Sequence, residues 1–463
     1  MSDAYSTKAA EQVRPRLPHL TILGGGPAGL AVGYFAARSG CPLTILEAGD
    51  TIGGNARTLR HGEFLFDTGA HRFHDKDPTV TREIQQLLGA ELSVAAAPSQ
   101  IVWKGRRIDF PLTPANLLRR LGPLTMARAI ADYARAPRKL NEAKPSLASI
   151  AVSRYGRTIA DLFLLHYSEK LWGMSADRLS PLVSGQRLKG LDLTTFLLET
   201  LRGRRAKTAH LDGRFFYPRR GIGMIMDRLA AVCGANNVRT AARVTRLLHD
   251  GRRIRDVEIN HRERVPVEQI ASSLPLGLTI SLLDPAPPRA LLELAARLRF
   301  RHVALLVLLI KRPRVTANAS LYFPERGIPF TRIYEPKNRS AAMAPADKTS
   351  LVIEFPCGIE DEAWRLNAEE LARIAIPILT QKRLLDQSDV FDCTLRRMPF
   401  AYPILECGIE DTVRQLIDYL NGFVNLSVVG RNGQFSYTHI HDLLEAGRLL
   451  IDAQFGRVPV TAA

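Results

Sequence analysis

Residues 19–49, HLTILGGGPAGLAVGYFAARSGCPLTILEAG, restrict the fold more than any other stretch of the chain. The LTIL ahead of the glycines is a short buried-strand pattern. Gly24, Gly26 and Gly29 satisfy GxGxxG, and AGLAVGYFAARSG carries small and apolar residues at helical spacing up to Gly40. PLTILEA then predicts a second strand. In such a βαβ unit Gly24 permits the tight turn, Gly26 lets backbone approach a pyrophosphate at the helix N-terminus, and Gly29 lets helix and strand pack closely. Glu47, eighteen residues beyond Gly29, ends the second strand, where a carboxylate can accept hydrogen bonds from ribose hydroxyls. The expectation is an α/β chain with a Rossmann-type domain whose dinucleotide is FAD or NAD.

A chain of 463 residues, 46% hydrophobic and 24% charged, can bury a large core and exceeds one ordinary domain. Its five cysteines are odd in number and far apart, which indicates neither a disulfide framework nor a zinc site. A reducing cytoplasm is therefore expected. The opening residues lack a signal-peptide apolar core, and runs such as HVALLVLLI are too short to span a bilayer, so no integral membrane protein is expected. The formal charge of +17 raises the question of nucleic acid, but the arginines are dispersed and no nucleic-acid motif is present. Nucleic acid is not an expected partner. The densest basic segment, 115–144, reads as one or two amphipathic helices, either solvated or resting on an acidic membrane surface.

The segment after Glu47, GGNARTLRHGEFLFDTGAHRFH, contains GG-x-x-R-T and an Asp-x-Gly-x-His turn. Here the chain resembles the flavoprotein superfamily of amine oxidases, protoporphyrinogen oxidase and UDP-galactopyranose mutase. Further stretches, including IVWKGRRIDFPL, YSEKLWGMSADRLSP, GRFFYPRRGIGMI, IPFTRIYEPKN, AYPIL and VVGRNGQFSYTHIHDLLEAG, are most similar to UDP-galactopyranose mutase-like proteins. The resemblance implies FAD, held by Gly24, Gly26, Pro27, Ala28, Gly29, Glu47, Ala48, Gly54, Asn55, Arg57, Thr58, His71, Val244, Gly430, Arg431, Tyr437 and Ile440. It implies His71, Arg332, Tyr402 and Tyr437 as catalytic residues, with Arg332 and the tyrosines clamping a diphosphate. It also implies Trp172, Arg187, Arg332, Tyr402 and Tyr437 around the substrate, an anionic small molecule such as a nucleotide sugar. The implied reaction is a redox-neutral ring contraction through N5 of reduced flavin, with NADPH or another reductant as electron source and a homodimer as one assembly the family allows. No metal is called for.

The chain departs from the family on the substrate side. Gln186 stands where the mobile-loop arginine belongs, so Arg187 matches only with a one-residue insertion. His439 replaces an acidic residue, and Asn432 replaces the more usual leucine. Plainer readings also exist: Trp172 could pack in a core, His71, His439 and His441 could be structural, and Arg332 could hold a carboxylate such as Glu335. Strand alternation in TRIYE argues that Glu335 points away from Arg332. Histidines at 439 and 441 would share one face of a strand, without a third metal ligand. The alternative function is an oxidoreductase of the protoporphyrinogen oxidase or amine oxidase type, with a mostly apolar or aromatic pocket; a non-catalytic accessory protein that keeps FAD for structure is the third.

The expected organisation is an extension at 1–18, a discontinuous FAD domain in parts 19–111, 206–275 and 401–463, a helical insertion at 112–205, and a mixed-sheet substrate domain at 276–400. The hairpin turn is placed at Asp250-Gly251.

Overall fold

The computed structural model describes residues 16–110, 112, 114–137, 140, 144–183 and 214–456. Its fold is mixed α/β. A five-stranded, all-parallel sheet has the order Leu426–Val428, Gln269–Ser272, β1 (Leu20–Leu23), β2 (Leu43–Leu46), Val238–Arg239. All four residues of β1 are buried, as a central parallel strand covered on both faces requires. Helix α1 (Pro27–Arg38) links β1 to β2, with Pro27 at its first position and Gly26 as its N-cap.

Gln269–Ser272 departs from the sequence expectation. The stretch RVPVEQIASSLPL reads as a continuation of the alternating hairpin strands, yet only Glu263–Pro266 pairs there. Gln269–Ser272 instead inserts between β1 and Leu426–Val428. Its Ile270, Ala271 and Ser272 are all buried, which a half-exposed hairpin strand would not be. The hairpin Val244–His249 and Ile254–Ile259 forms as the Asp250-Gly251 turn predicts.

Both ends of the chain converge on α1. A Cβ built on Gly430 would lie 2.7 Å from Ala28 Cβ, and one built on Gly447, in the C-terminal helix Ile440–Phe455, would lie 3.0 Å from the Ala31 backbone. The last strand, turn and helix are thus packed onto the start of the βαβ unit.

A second sheet of seven strands has the order Val390–Pro403, Phe300–Ile310, Thr349–Cys357, Arg332–Tyr334, Ser320–Tyr322, Ser99–Trp103, Arg106–Phe110. The last two, grouped with the first cofactor segment on sequence grounds, hydrogen-bond into this sheet. Phe300–Ile310 is an interior strand, paired on both sides and covered on both faces. Val303, Leu305, Val307 and Leu309 pack with Phe64, Phe66 and Tyr334, whereas Ala304, Leu306, Leu308 and Ile310 pack toward the helix Ala368–Gln381. Burying each such aliphatic side chain is worth about 1.5–3 kcal/mol, except Ala304, which is smaller. The helices Pro114–Leu121, Pro123–Arg135, Leu147–Tyr155, Arg157–Ala160 and His166–Trp172 lie between the sequence segments of the two sheets. No helix among the described residues is long and apolar enough to cross a membrane.

Candidate active site

The glycine turn is built for a phosphate-bearing ligand. Gly24 has φ +98°, and a Cβ on Gly29 would fall 1.9 Å from Gly24 O, so only glycine fits at either position. The N-terminus of α1 has no side-chain cap and no acidic residue in its first turn, leaving its N–H groups and positive dipole end to a ligand. Glu47 follows β2, and its carboxylate accepts from Gly25 N–H (2.8 Å) and Gly49 N–H (2.7 Å). Those two bonds fix its orientation beside the turn, and exposed Ala48 lies between them. The hairpin arrives at the same corner: Ala242 N–H donates to Glu47 O, two residues before buried Val244.

The GG-x-x-R-T segment faces this turn. Gly54, at φ +51°, approaches Gly26 so closely that a Cβ on it would meet Gly26 Cα at 3.1 Å. Arg57 donates to Thr51 Oγ1, but its buried Nε has no partner in the structure. Burial lowers the Arg57 pKa, neighbouring Arg396 lowers it further, and Glu47 only partly offsets them. The repulsion from Arg396 and the unused Arg57 donor mark a site short of negative charge, which a pyrophosphate would supply. Together with the glycine cradle, these residues fit an FAD-type cofactor.

Thr58 Oγ1 is engaged within the protein: it donates to Asp67 Oδ1 (2.7 Å) and accepts from Gly223 N–H (2.9 Å). Asp67 is fully buried and also accepts from Tyr217 OH (2.5 Å) and Ile222 N–H (3.0 Å). Burial raises its pKa, against those hydrogen bonds and the charge of nearby Arg339. Arg339 lies over the Tyr334 ring, 4.5 Å from its centroid, and donates to His71 O (3.2 Å). This buried support was not singled out from sequence, beyond Asp67 as the start of a motif.

His71 sits where the two halves of the site join. Its Nε2 is 2.8 Å from Asn55 O; a carbonyl only accepts, so Nε2 carries the proton and Nδ1 remains an acceptor. Burial, then the charge of Arg431, lower its pKa to about 3, against the bond to Asn55, so it is neutral near pH 7. Asn55 Nδ2 in turn donates to Pro399 O and Phe400 O, both at 3.3 Å, and Asn432 Nδ2 to Phe400 O at 3.2 Å. These carbonyls belong to a bulge opposite His302, where Phe400 has φ +52°. Bulges re-aim backbone beside functional sites. The substitution at Asn432 thus acquires a local role as a donor to the bulge.

Beyond the bulge lies an aromatic cluster. Trp172 meets Tyr402 at 5.6 Å and Tyr437 at 5.8 Å, both edge-on, and the two tyrosines are 6.1 Å apart. Arg431 lies 5.8 Å from the Tyr402 ring and 5.1 Å from that of Tyr437, while donating to Thr438 O and Ala401 O. Trp172 is only 2% exposed and belongs to a core cluster, so a base could stack on it only if its surroundings parted. Lys170, two residues earlier, donates to the carbonyls of Phe323, Glu325 and Phe330, tying this helix to the seven-stranded sheet.

Arg332 is paired with a carboxylate, but with Glu354, its cross-strand neighbour, and not with Glu335. Its Nε reaches Oε2 at 2.9 Å and its Nη2 reaches Oε1 at 2.8 Å. Burial acts against the Arg332 charge, but Glu354 and the ring hydroxyls of Tyr167, Tyr402 and Tyr322 hold its pKa well above the usual arginine value. Glu335 does point away, accepting from Val315 N–H, Thr316 N–H and Thr349 Oγ1. The structure therefore brings together Arg332, Tyr402, Tyr437, Trp172, Arg431 and His71. Arg187 lies outside the described residues.

The histidine pair is on a helix start and not on a strand. His439 is the N-cap of Ile440–Phe455, its N–H donates to Asp442 Oδ2 (2.7 Å), and His441 Nε2 is 2.9 Å from Asp442 Oδ1. Burial resists the negative charge of Asp442, yet the hydrogen bonds from His439 and His441 hold its pKa far below the ordinary range. Ile440 is buried against α1 through the same packing. No group of three metal-ligating side chains occurs among the described residues.

This fold and cofactor cradle define a flavin-dependent enzyme, and the sequence pattern of the flavin-containing amine oxidoreductase family matches residues 27–392. The chain belongs to that family. Its fold is similar to that of reduced UDP-galactopyranose mutase, with TM-score 0.83 and 20% identity over 95% of this chain and 96% of that one. A putative protoporphyrinogen oxidase from Exiguobacterium sp. 255-15 gives TM-score 0.75 and 18% identity over 95% and 98% of the two chains. Among curated proteins, L-amino acid oxidase Cdc18 from Crotalus durissus cumanensis is 26% identical over 144 residues, 31% of this chain and 26% of that protein. The chain thus spans about a quarter of that relative's length.

Proposed function

We propose that the protein is a UDP-galactopyranose mutase-like flavoenzyme acting on a nucleotide sugar, with FAD across both ends of the chain. The observation that carries this reading is the convergence of Arg332, Arg431, Tyr402 and Tyr437 beside His71 at the junction of the two sheets. When bound, reduced flavin supplies a nucleophilic nitrogen toward the anomeric carbon and regains its starting state. The chain's own groups do the rest. Arg332 and the tyrosine hydroxyls meet the charge that develops on a departing diphosphate, because preorganised donors in a dry site do not need to reorganise. His71 presents Nδ1 as an acceptor while Asn55 holds its ring in place. Arg431, fixed by two carbonyls, adds positive potential. NADPH or another reductant would maintain the reduced state.

A second reading, an oxidoreductase acting on a C–N or C–C unit, is favoured by one specific feature. The Glu354 carboxylate already neutralises Arg332, and three aromatic rings line the neighbouring space, which suits a less anionic substrate. Two incubations separate the readings: dithionite-reduced protein with nucleotide sugars, and oxidised protein with an amine, amino acid or porphyrinogen. Isomerised sugar nucleotide with no net flavin oxidation supports the mutase; bleaching of oxidised flavin by an amine, amino acid or porphyrinogen, with no isomerisation, selects the oxidoreductase.

A further inference from the structure

The helices Pro114–Leu121 and Pro123–Arg135 carry an outer surface that the described fold leaves uncovered. Leu118, Leu124 and Ile130 are 53%, 84% and 62% exposed. The inward side of Pro123–Arg135 is already occupied: Ala129 is buried and Met126 packs with Leu117, Leu121 and Ile159. Leu124, Ala127, Ile130 and Ala134 recur at intervals of three and four and leave Leu124, Ala127, Ile130 and Ala134 exposed, so the helix is apolar on both sides. A helix in contact only with water would place polar side chains there.

The outer stripe is edged by cations. Arg119, Arg120, Arg128 and Arg135 are exposed, and Lys104 and Arg106 project from the adjoining hairpin, where Arg106 donates to Arg120 O. Residues 104–137 contain two carboxylates, and both are engaged locally: Asp109 with Asn116 and Gln100, Asp132 with Thr158. The surface is backed firmly, since a Cβ on Gly156 would lie 2.7 Å from Tyr133 N. No rearrangement is needed to present it.

We propose that this face docks on an anionic phospholipid surface, with Leu118, Leu124 and Ile130 entering the interfacial layer and the arginines meeting the headgroups. Charge complementarity selects that occupant. A second copy of the chain is disfavoured, because two such faces brought together would set arginine against arginine, and like charges across an interface oppose association. The proposal is independent of which reaction the site performs.

The test uses full-length, FAD-loaded protein in co-sedimentation with vesicles of phosphatidylcholine alone or mixed with phosphatidylglycerol. Binding at least about tenfold stronger to the mixed vesicles, reversed by raised salt, is expected. The double substitution Leu124→Glu with Ile130→Glu should weaken that binding by about tenfold or more while flavin content and melting stay unchanged. Arg119→Ser with Arg128→Ser serves as a second variant with the same expected direction, and decides the matter if the first misfolds. Equal binding to both vesicle types, or undiminished binding by well-folded variants, overturns the proposal. So does a dimer that the double substitution dissociates in a protein that binds no vesicles.

Discussion

Replacing Glu354 with glutamine should move stability and anion affinity in opposite directions. Glu354 is 2% exposed and holds both arms of the Arg332 guanidinium, while its Oε1 also accepts from Ala70 N–H at 3.2 Å. Glutamine keeps the shape and one acceptor but turns an amide NH₂ toward the guanidinium and leaves a buried positive charge uncompensated. Breaking a buried pair at one partner costs about 3–5 kcal/mol, and the retained acceptor places Glu354→Gln near the bottom of that range, about 3 kcal/mol. The same change frees Arg332 for an external anion, so UDP should bind about tenfold more tightly, equivalent to about 1.4 kcal/mol. Urea denaturation of the flavin-free protein measures the first quantity, because bound flavin would add its own stabilisation. UDP titration of the flavin-loaded protein measures the second. A loss below about 0.5 kcal/mol, the range of an ordinary surface change, would refute the buried-pair argument. Weaker UDP binding would refute the idea that Glu354 competes with the ligand for Arg332.

Gly29→Ala should abolish flavin retention, since its Cβ would overlap Gly24 O at 1.9 Å; a yellow variant of normal stoichiometry would contradict this. Tyr217→Phe removes a donor from buried Asp67 and should cost about 1–3 kcal/mol in urea unfolding, whereas an unchanged midpoint would count against the Asp67 network. His71 has a folded pKa of about 3 against an ordinary 6.5, so the unfolded chain binds more protons between those values. Its contribution is present in full above about pH 6.5 and is lost as pH falls toward 3, at up to about 1.4 kcal/mol per pH unit. Urea midpoints at several pH values should therefore fall less steeply in acid for His71→Gln; equal slopes would remove His71 from that account.

The βαβ unit was legible because its determinants are local. GxGxxG spacing, a helix-length run and an acid at the end of the second strand all lie within residues 19–49, and the structure forms β1, α1 and β2 there. The convergence of the chain ends followed from motifs at both ends. What sequence reasoning missed depends on pairing between distant strands. Gln269–Ser272 looks like its hairpin neighbours until its partners are known, and the local pair Ser99–Trp103 and Arg106–Phe110 joins a sheet whose other strands begin only at Phe300. Glu354 left a signal that was not used: it is the one charged residue in TSLVIEFPC, a strand buried at all nine positions, and such a residue requires a partner. The Phe400 bulge left none, because its irregularity arises from register with His302 and from the donors Asn55 and Asn432.

The most direct measurement of the central claim is the visible spectrum of the oxidised, flavin-loaded protein during titration with UDP. A saturable perturbation of the flavin bands, lost in Arg332→Ala and retained in the surface substitution Leu124→Glu, is expected if an anion binds against Arg332 beside the ring. A protein that purifies without flavin and takes up none, or one whose flavin spectrum UDP leaves unchanged, would contradict it.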